Sequence, residues 1–297
     1  MLACAEAHGG IVIGVGSDGR VDVDELRRRL TPEVELVSIE LANGEIGTIQ
    51  PLRQIAGVVS DERARRLRAG ERTPLLLHTD ASQAATSTTI NVSSLKCDLM
   101  TLSAAKVYGP KQVGLLWVAD GVALRPLVRG GGQESGVRSG TENVAGAVAF
   151  ARALELVGER RSEESRRLGE LRSALLAALE ETFPWMKVSG PRNASKRLPG
   201  LLSVSFPGLE ARRLVVLLER LGVSVGTGSA CAASRMHVSH VLRAIGLDDE
   251  AAAGSLRITM GHPTSEDDLA YAAWAIAEAV RREGERVGLD VRTGERA

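Results

Sequence analysis

Apolar positions recur along the chain with two periods, and they predict alternating strands and helices. Short apolar runs typical of buried strands occupy 11–13, 34–41, 75–77, 98–103, 113–118, 201–206, 223–225 and 255–260. Apolar residues at helical spacing predict helices from Asp22 and over 52–59, 144–157, 159–181, 210–220, 239–245 and 265–282. This alternation predicts an α/β fold with a mostly parallel sheet, whose site lies at the carboxyl ends of the strands.

The long amphipathic helix over 159–181 predicts the passage from one domain to another. A chain of 297 residues is long enough to bury two cores. We expect a large domain over 1–157 and a smaller α+β domain over 158–284. The segment 285–297 is charged and contains glycine, so we expect a frayed tail there.

Residues 14–19 have the spacing G-x-G-x-x-G, which also occurs in dinucleotide-binding loops. In such a loop the helix begins within the glycines. Here the next predicted helix begins later, at Asp22, where Glu25 completes a capping box. We therefore interpret these glycines as a turn.

Composition narrows the function classes. Lys plus Arg and Asp plus Glu both number 37, so the net charge is zero, which argues against nucleic acid or an anionic membrane as the main partner. Three cysteines do not make a disulfide framework and favour a reducing cytoplasm. No apolar run reaches about 18 residues, and the N-terminus lacks the basic segment of a signal peptide.

Polar residues follow three of the predicted strands at their carboxyl ends. They are Asn43 and Glu45, then His78, Asp80 and Gln83, and then Ser103 and Lys106. A single lysine is most often a solvated surface residue. A lysine held in a cleft can instead act as an amine nucleophile and form a Schiff base with pyridoxal phosphate.

Two further segments leave alternatives open. The glycine-rich loop 130–143 precedes an apolar helix, so it suits either a phosphate group or a plain mobile loop. Cys231 lies among small residues after the strand predicted at 223–225. A free cysteine is usually buried and inert, but on a mobile loop it can be reactive.

Five motifs occur in one order along nearly the whole chain. They are Asn-x-Glu-Ile-Gly at 43–47, His-x-Asp-Ala-x-Gln at 78–83, Ser-x-x-Lys-x-Tyr-Gly-Pro-Lys at 103–111, Gly-Gly-Gly-Gln-Glu with Arg-Ser-Gly-Thr-Glu-Asn within 130–143, and Gly-Ser-Ala-Cys at 228–231. In this set the chain resembles the cysteine desulfurases, in the class V aminotransferase branch of the fold-type I pyridoxal-phosphate enzymes. The resemblance implies a fold-type I architecture. It also implies that pyridoxal 5'-phosphate is the cofactor.

The resemblance assigns roles to residues of the predicted sheet edge. Lys106 would bind the cofactor as a Schiff base and later move the proton of the substrate Cα. Asp80 would lie against the pyridine nitrogen, where a carboxylate keeps the ring protonated. Gln83 would bind the phenolic oxygen and Ser103 the phosphate. Asn43 is also expected among the cofactor-binding residues.

The resemblance also implies a reaction and partners. Arg257 would bind the carboxylate of L-cysteine, and Cys231 would accept its sulfur as a persulfide, leaving L-alanine. The sulfur would pass to an iron–sulfur scaffold or a tRNA-thiolation relay. Thr141 would reach the phosphate bound by a neighbouring subunit, which implies a homodimer.

Several residues depart from the family pattern. No glycine- and threonine-rich phosphate loop and no ring-stacking histidine precede Gly10. Ala105 stands in place of a histidine, Gly44 of an asparagine, and Ser135 and His262 of arginines. Fewer anion ligands should weaken cofactor binding. Two alternatives therefore stay open: an impaired, truncated homologue that serves as a scaffold or partner subunit, and a selenocysteine lyase.

Overall fold

The computed structural model describes residues 2–227 and 239–296. Its helices are α1 (Leu2–Ala7), α2 (Val23–Arg29), α3 (Leu52–Ala69), α4 (Val92–Leu95), α5 (Val144–Thr182), α6 (Ala211–Arg220), α7 (His240–Ala244), α8 (Asp249–Ala253) and α9 (Glu266–Val287). Its strands are β1 (Leu36–Glu40), β2 (Leu76–Asp80), β3 (Leu99–Ser103), β4 (Gly114–Val118), β5 (Lys187–Val188), β6 (Leu201–Ser205), β7 (Ser255–Thr259), β8 (Leu289–Asp290) and β9 (Glu295–Arg296). Within these ranges, no helix is both long and apolar enough to cross a bilayer.

The backbone forms two compact units. The first unit comprises Leu26–Leu41 and Pro51–Arg161. The second comprises Leu2–Glu25, Ala42–Gln50 and the chain from Ser162 onward. The boundaries between units thus fall within α2 and α5, as well as at two short connections near residues 41 and 50.

The first unit contains a four-stranded sheet in the order β1-β2-β3-β4. Strands β1, β2 and β3 are parallel, and β4 runs antiparallel to β3. Helix α3 contacts β2 and buries Ile55 and Val59 completely or nearly so, while Leu77 of β2 is fully buried. The predicted α/β fold with a mostly parallel sheet is confirmed. The carboxyl ends of the three parallel strands consequently share one edge of the sheet.

The second unit is built on an antiparallel sheet in the order β5-β6-β7. Helix α6 contacts β7 and α9, and α8 contacts β6. Most side chains in its core come from α5, α6, α9, β6 and β7, and include Leu175, Leu179, Leu202, Val204, Leu214, Leu218, Leu256, Ile276 and Val280; Phe206, directly after β6, is also part of it. Every residue of β6 is buried. This strand lies between β5 and β7, and helix α8 contacts it. This unit has the α+β character expected of the C-terminal region.

The C-terminal segment differs from the frayed tail that its charge predicted. Strands β8 and β9 pair as a hairpin, and Leu289 is buried in the core of the second unit. The indole N–H of Trp185 donates a hydrogen bond to the carbonyl of Val291 at 2.8 Å. One buried leucine and one long-range hydrogen bond thus hold a segment whose local composition is polar.

Two predicted strands are absent, and two predicted helices are joined. Residues 11–13 form no strand; nearby, only Val15 and Val21 make an isolated bridge. Residues 223–225 form no strand either, and Gly226 alone pairs with β7. The two helices predicted over 144–157 and 159–181 are one helix, α5, which passes through Gly158.

The turn predicted at 14–19 is confirmed, since the Gly19 N–H donates to the Gly16 carbonyl at 2.8 Å.

Two arginines are buried in the second unit without a carboxylate partner among the described residues. Arg172 of α5 is 7% exposed and Arg197, in the segment before β6, is 3% exposed. Arg197 donates to the carbonyls of Pro191 and Leu201 at 3.0 and 3.1 Å, whereas the buried Nε and Nη1 of Arg172 have no hydrogen-bond partner there. Burial, and then repulsion by the charge of Arg172, lowers the pKa of Arg197 to about 10.

Replacing Arg172 with methionine is therefore expected to stabilise the protein. The change removes a buried charge and two nitrogen atoms without hydrogen-bond partners, and methionine keeps apolar packing, so the free energy of unfolding should rise by about 1–3 kcal/mol. Arg166→Met on the same helix is the control, because Arg166 is exposed and its guanidinium forms an ion pair with the exposed Glu170 at 3.2 Å. That change should stay within about 0.5 kcal/mol. Urea unfolding measures both, and a loss of stability in Arg172→Met would contradict the argument.

Candidate functional site

Two of the predicted site residues close neighbouring parallel strands of the first unit. Asp80 is the last residue of β2, and Ser103 is the last residue of β3. Asp80 lies opposite Thr101 in the register of these strands. The Ala81 N–H then donates to the Thr101 carbonyl at 3.0 Å, which continues the ladder past the strand end. The sheet therefore brings Asp80 and Ser103 to one edge, as the sequence predicted.

The chain turns immediately after Asp80, and the aspartate itself shapes the turn. Its Oδ1 accepts a hydrogen bond from the Ser82 N–H at 2.9 Å. The Ala81 carbonyl accepts from the N–H groups of Ala84 and Ala85 at 3.0 and 3.1 Å, so the turn is tight. Gln83 lies within this turn and is half-buried. One oxygen of the carboxylate thus fixes the loop, and no hydrogen bond to Oδ2 occurs among the described residues.

A histidine on the same strand ties three parallel strands together. Nδ1 of His78 is hydrogen-bonded to Oγ of Ser38 on β1, and its Nε2 to Oγ1 of Thr101 on β3, both at 2.8 Å. Burial lowers the pKa of His78, and the negative charge of Asp80 acts in the opposite direction. His78 stood out in the sequence as a polar residue after a strand, but its hydroxyl partners on β1 and β3 did not.

The loop that carries Lys106 is fixed at both ends. The Ala104 N–H donates to the Val113 carbonyl at 3.0 Å, and the Ala104 carbonyl accepts from the Gly109 N–H at 2.8 Å. A side chain at Gly109 would begin 3.0 Å from that carbonyl oxygen, a contact tight enough to favour glycine. Lys106 ends the short 3₁₀ helix Ala104–Lys106 and is exposed. In the described part of the chain, no hydrogen bond or ion pair engages its amine.

The glycine-rich loop before α5 has internal hydrogen bonds. The Ser139 hydroxyl donates to the Gly131 carbonyl at 2.8 Å, and the Gly140 N–H donates to Oε1 of Gln133 at 3.3 Å. The side-chain oxygen of Asn143 accepts from the Gly146 N–H at 3.0 Å and caps α5. Thr141 is exposed on this loop. Its expected contact with a neighbouring subunit's phosphate stays a prediction.

Asn43 belongs to the second unit, where it closes a turn. Its Oδ1 accepts from the N–H groups of Glu45 and Ile46, both at 2.9 Å. Its backbone N–H donates to the Thr48 carbonyl at 2.8 Å. The side-chain oxygen of Asn43 thus has a structural role that the sequence motif did not suggest.

Arg257 lies in the middle of β7 in the same unit and is half-buried. It pairs with Ser203 of β6 on one side and with Gly226 on the other. Its Nη1 donates to the Gly44 carbonyl at 3.3 Å. Its Nε is buried and has no hydrogen-bond partner within residues 2–227 and 239–296. Cys231, the remaining predicted catalytic residue, lies outside the described residues.

The family of the chain follows from comparison with known proteins. Residues 5–271 match the family described as aminotransferase class-V. The chain belongs to that family. Members of the family use pyridoxal phosphate, which agrees with the cofactor that the motifs predicted.

Among class-V relatives, the chain is 38% identical over 271 residues to a protein named cysteine desulfurase IscS from Clostridium botulinum. This match covers 91% of the chain and 66% of that relative. It is 39% identical over 257 residues to a protein of the same name from Dictyoglomus turgidum, covering 86% of the chain and 62% of the relative. The chain therefore spans slightly less than two thirds of the length of these relatives.

Solved structures agree on the fold. A structure titled NifS-like protein superposes with a TM-score of 0.82 at 33% identity, over 95% of this chain and 71% of that one. A NifS-like protein from Rickettsia africae gives a TM-score of 0.80 at 27% identity, over 91% of this chain and 69% of that one. The fold-type I architecture that the motifs implied is confirmed.

The first unit offers groups that suit the class-V cofactor. Pyridoxal phosphate presents an aldehyde, a ring nitrogen, a phenolic oxygen and a phosphate, which call for an amine, a carboxylate and hydrogen-bond donors. Lys106, Asp80, Gln83 and Ser103 supply these groups within one short stretch of the sheet edge and its loops. Within the described ranges, the side chains of Lys106, Gln83 and Ser103 make no hydrogen bond to protein. The donor set therefore fits the cofactor.

Proposed function

We propose that the chain is a pyridoxal-phosphate-dependent cysteine desulfurase, which converts L-cysteine to L-alanine and retains the sulfur. The observation that carries this proposal is the sheet edge where Asp80 and Ser103 end parallel strands and Lys106 follows with an amine that no described residue engages. A surface lysine with no such neighbours would not support it. The similarity to proteins named cysteine desulfurase supports the choice of reaction within the family.

Five residues would hold the cofactor. Lys106 would bind it covalently through Nζ, and the Asp80 carboxylate would keep the ring nitrogen protonated. Gln83 would donate a hydrogen bond to the phenolic oxygen, and Ser103 would donate one to the phosphate. Asn43 is proposed as a further contact. When bound, pyridoxal phosphate supplies an electron sink for the charge that develops at the substrate Cα.

Three side chains would handle the substrate. Arg257 would bind the carboxylate of L-cysteine, because its planar guanidinium can donate two parallel hydrogen bonds. The amine of Lys106 would take the proton from Cα and later return protons to the product. Sγ of Cys231 would attack the substrate sulfur as the bond between carbon and sulfur breaks. One cysteine and one enzyme thiol thus become one alanine and one persulfide, so the step needs no external oxidant.

The proposal extends to partners and location. The persulfide on Cys231 would be consumed by a sulfur acceptor, either an iron–sulfur scaffold or a tRNA-thiolation relay. Thr141, exposed on the glycine-rich loop, would contact the phosphate of a second subunit, so the active form would be a homodimer. The few cysteines and balanced charge support a cytoplasmic protein.

The test is the visible absorption of the protein after incubation with pyridoxal phosphate and desalting. The parent should retain a visible band that shifts when L-cysteine is added, while Lys106→Ala should retain none. Lys111→Ala is the matched control, since Lys111 is an exposed lysine of the same loop, and this variant should behave like the parent. The proposal would be wrong if the parent protein retained no visible band, or if Lys106→Ala retained a band of equal intensity.

A further inference from the structure

The backbones of Arg257 and Gly226 are joined by two reciprocal hydrogen bonds. The Gly226 N–H donates to the Arg257 carbonyl at 2.9 Å, and the Arg257 N–H donates to the Gly226 carbonyl at 2.7 Å. Both backbones are therefore fixed relative to each other. Gly226 is not in the left-handed region, so backbone conformation does not explain why glycine occurs there.

The space beside Gly226 explains the glycine. A Cβ at this position would lie 3.0 Å from Nη2, 3.3 Å from Nε and 3.4 Å from Cζ of Arg257. These distances are shorter than most contacts of a real Cβ, so a side chain at 226 would require the guanidinium to shift by a few tenths of an ångström. Because the reciprocal hydrogen bonds hold the two backbones together, a substitution would have to displace the guanidinium rather than the strand.

The opposite side of the guanidinium is also fixed. Its Nη1 donates to the Gly44 carbonyl at 3.3 Å. That carbonyl lies in the turn that Oδ1 of Asn43 closes through the N–H groups of Glu45 and Ile46. The Arg257 side chain is therefore held between a backbone carbonyl at Nη1 and the bare Cα of Gly226 near Nε and Nη2.

In this arrangement the Nε–Nη2 edge of the guanidinium donates no hydrogen bond to the described residues. Among the described residues, Nε is buried without a hydrogen-bond partner, and the Arg257 side chain donates to protein through Nη1 and not through Nη2. The Nε and Nη2 pair is one of the edges through which arginine binds a carboxylate with two parallel hydrogen bonds. Two closely aligned hydrogen bonds require that the guanidinium plane be set before the ligand arrives.

We propose that Gly226 is a positioning residue that orients the Nε–Nη2 edge of Arg257 for a substrate carboxylate. The inference rests on the proposed function, in which Arg257 binds the carboxylate of L-cysteine. A methyl group at 226 rotates the guanidinium away from that edge and leaves the cofactor residues of the first unit unchanged. The expected change is thus in substrate affinity rather than in cofactor retention.

The experiment is a double-mutant cycle with Gly226→Ala and Arg257→Gln. We expect Gly226→Ala to raise KM for L-cysteine about tenfold or more, as the loss of a charge-assisted hydrogen bond would, with kcat within about threefold of the parent. In the Arg257→Gln background, Gly226→Ala should add no further rise. Ser224→Ala, an exposed residue of the same segment, is the control and should leave KM unchanged.

Binding of L-alanine and of ethylamine, which lacks the carboxylate, gives a second measurement by calorimetry. Gly226→Ala should weaken the binding of L-alanine and leave that of ethylamine unaltered. If Arg257→Gln does not raise KM for L-cysteine, the assigned role of Arg257 is wrong. If Arg257→Gln raises this KM and Gly226→Ala does not, only the inference about Gly226 is wrong. The same holds if the effects of the two substitutions on KM add.

Thermal unfolding keeps the inference testable if Gly226→Ala folds poorly. Glutamine is shorter than arginine and vacates the space beside position 226. The double variant should then melt at the same temperature as Arg257→Gln alone. An equal loss of melting temperature in both backgrounds would overturn the inference, because the methyl group would then clash with something other than Arg257.

Discussion

Replacing Lys106 with alanine is expected to lower the formation of L-alanine from L-cysteine by about 100- to 10,000-fold, the range typical of losing a positioned proton-transfer group. Lys106 follows the end of β3 on a loop held by Ala104, and its amine is not engaged by the described residues. The proposed covalent bond between Lys106 and the cofactor could not form in the same variant. Rates are measured by quantifying L-alanine with saturating pyridoxal phosphate.

Chemical rescue separates loss of the amine from loss of structure. Added methylamine should restore part of the activity of Lys106→Ala, because a free amine can accept the Cα proton in place of Nζ. Lys111→Ala should stay within about threefold of the parent, as expected for a solvated lysine away from the chemistry. Parent-like turnover in Lys106→Ala would contradict the assignment of Lys106.

Local patterns predicted the strands of the first unit because each is a short run that begins or continues with apolar residues. The runs at 34–41, 75–77, 98–103 and 113–118 each contain or overlap a strand of the sheet. The run at 11–13 failed, because three apolar residues beside glycines form a strand only if a partner strand is available. The predicted break at Gly158 also failed, since one glycine costs a helix only about 1 kcal/mol.

The candidate site was predictable where it depends on strand ends, and unpredictable where it depends on register. Asp80 and Ser103 end their strands, which a polar residue after an apolar run is enough to indicate. The bridge from Ser38 through His78 to Thr101 exists only because three strands align in one register. The proposed role of Gly226 likewise depends on its pairing with Arg257, 31 positions later. No local sequence pattern predicts this pairing.

Among the described glycines, Gly254 is the one where an added methyl group would come closest to a backbone atom. It follows α8, and its carbonyl accepts a hydrogen bond from the Phe206 N–H at 3.0 Å. A Cβ at 254 would lie 2.1 Å from the Phe206 carbonyl oxygen and 3.0 Å from that of Leu209. Both obstacles are backbone atoms beside the fully buried Phe206 side chain, so no rotamer change relieves the clash.

Gly254→Ala is therefore expected to lower the free energy of unfolding by about 3 kcal/mol or more, since the backbone after β6 must move away from α8. Gly169→Ala is the matched control within the same unit. It lies inside α5, where the nearest atom to a new Cβ is Cβ of Pro199 at 3.9 Å. Alanine also favours a helix over glycine by up to about 1 kcal/mol, so this variant should gain stability. Urea unfolding of both variants decides the matter: similar losses in the two would mean that backbone contact at Phe206 is not what selects glycine at 254.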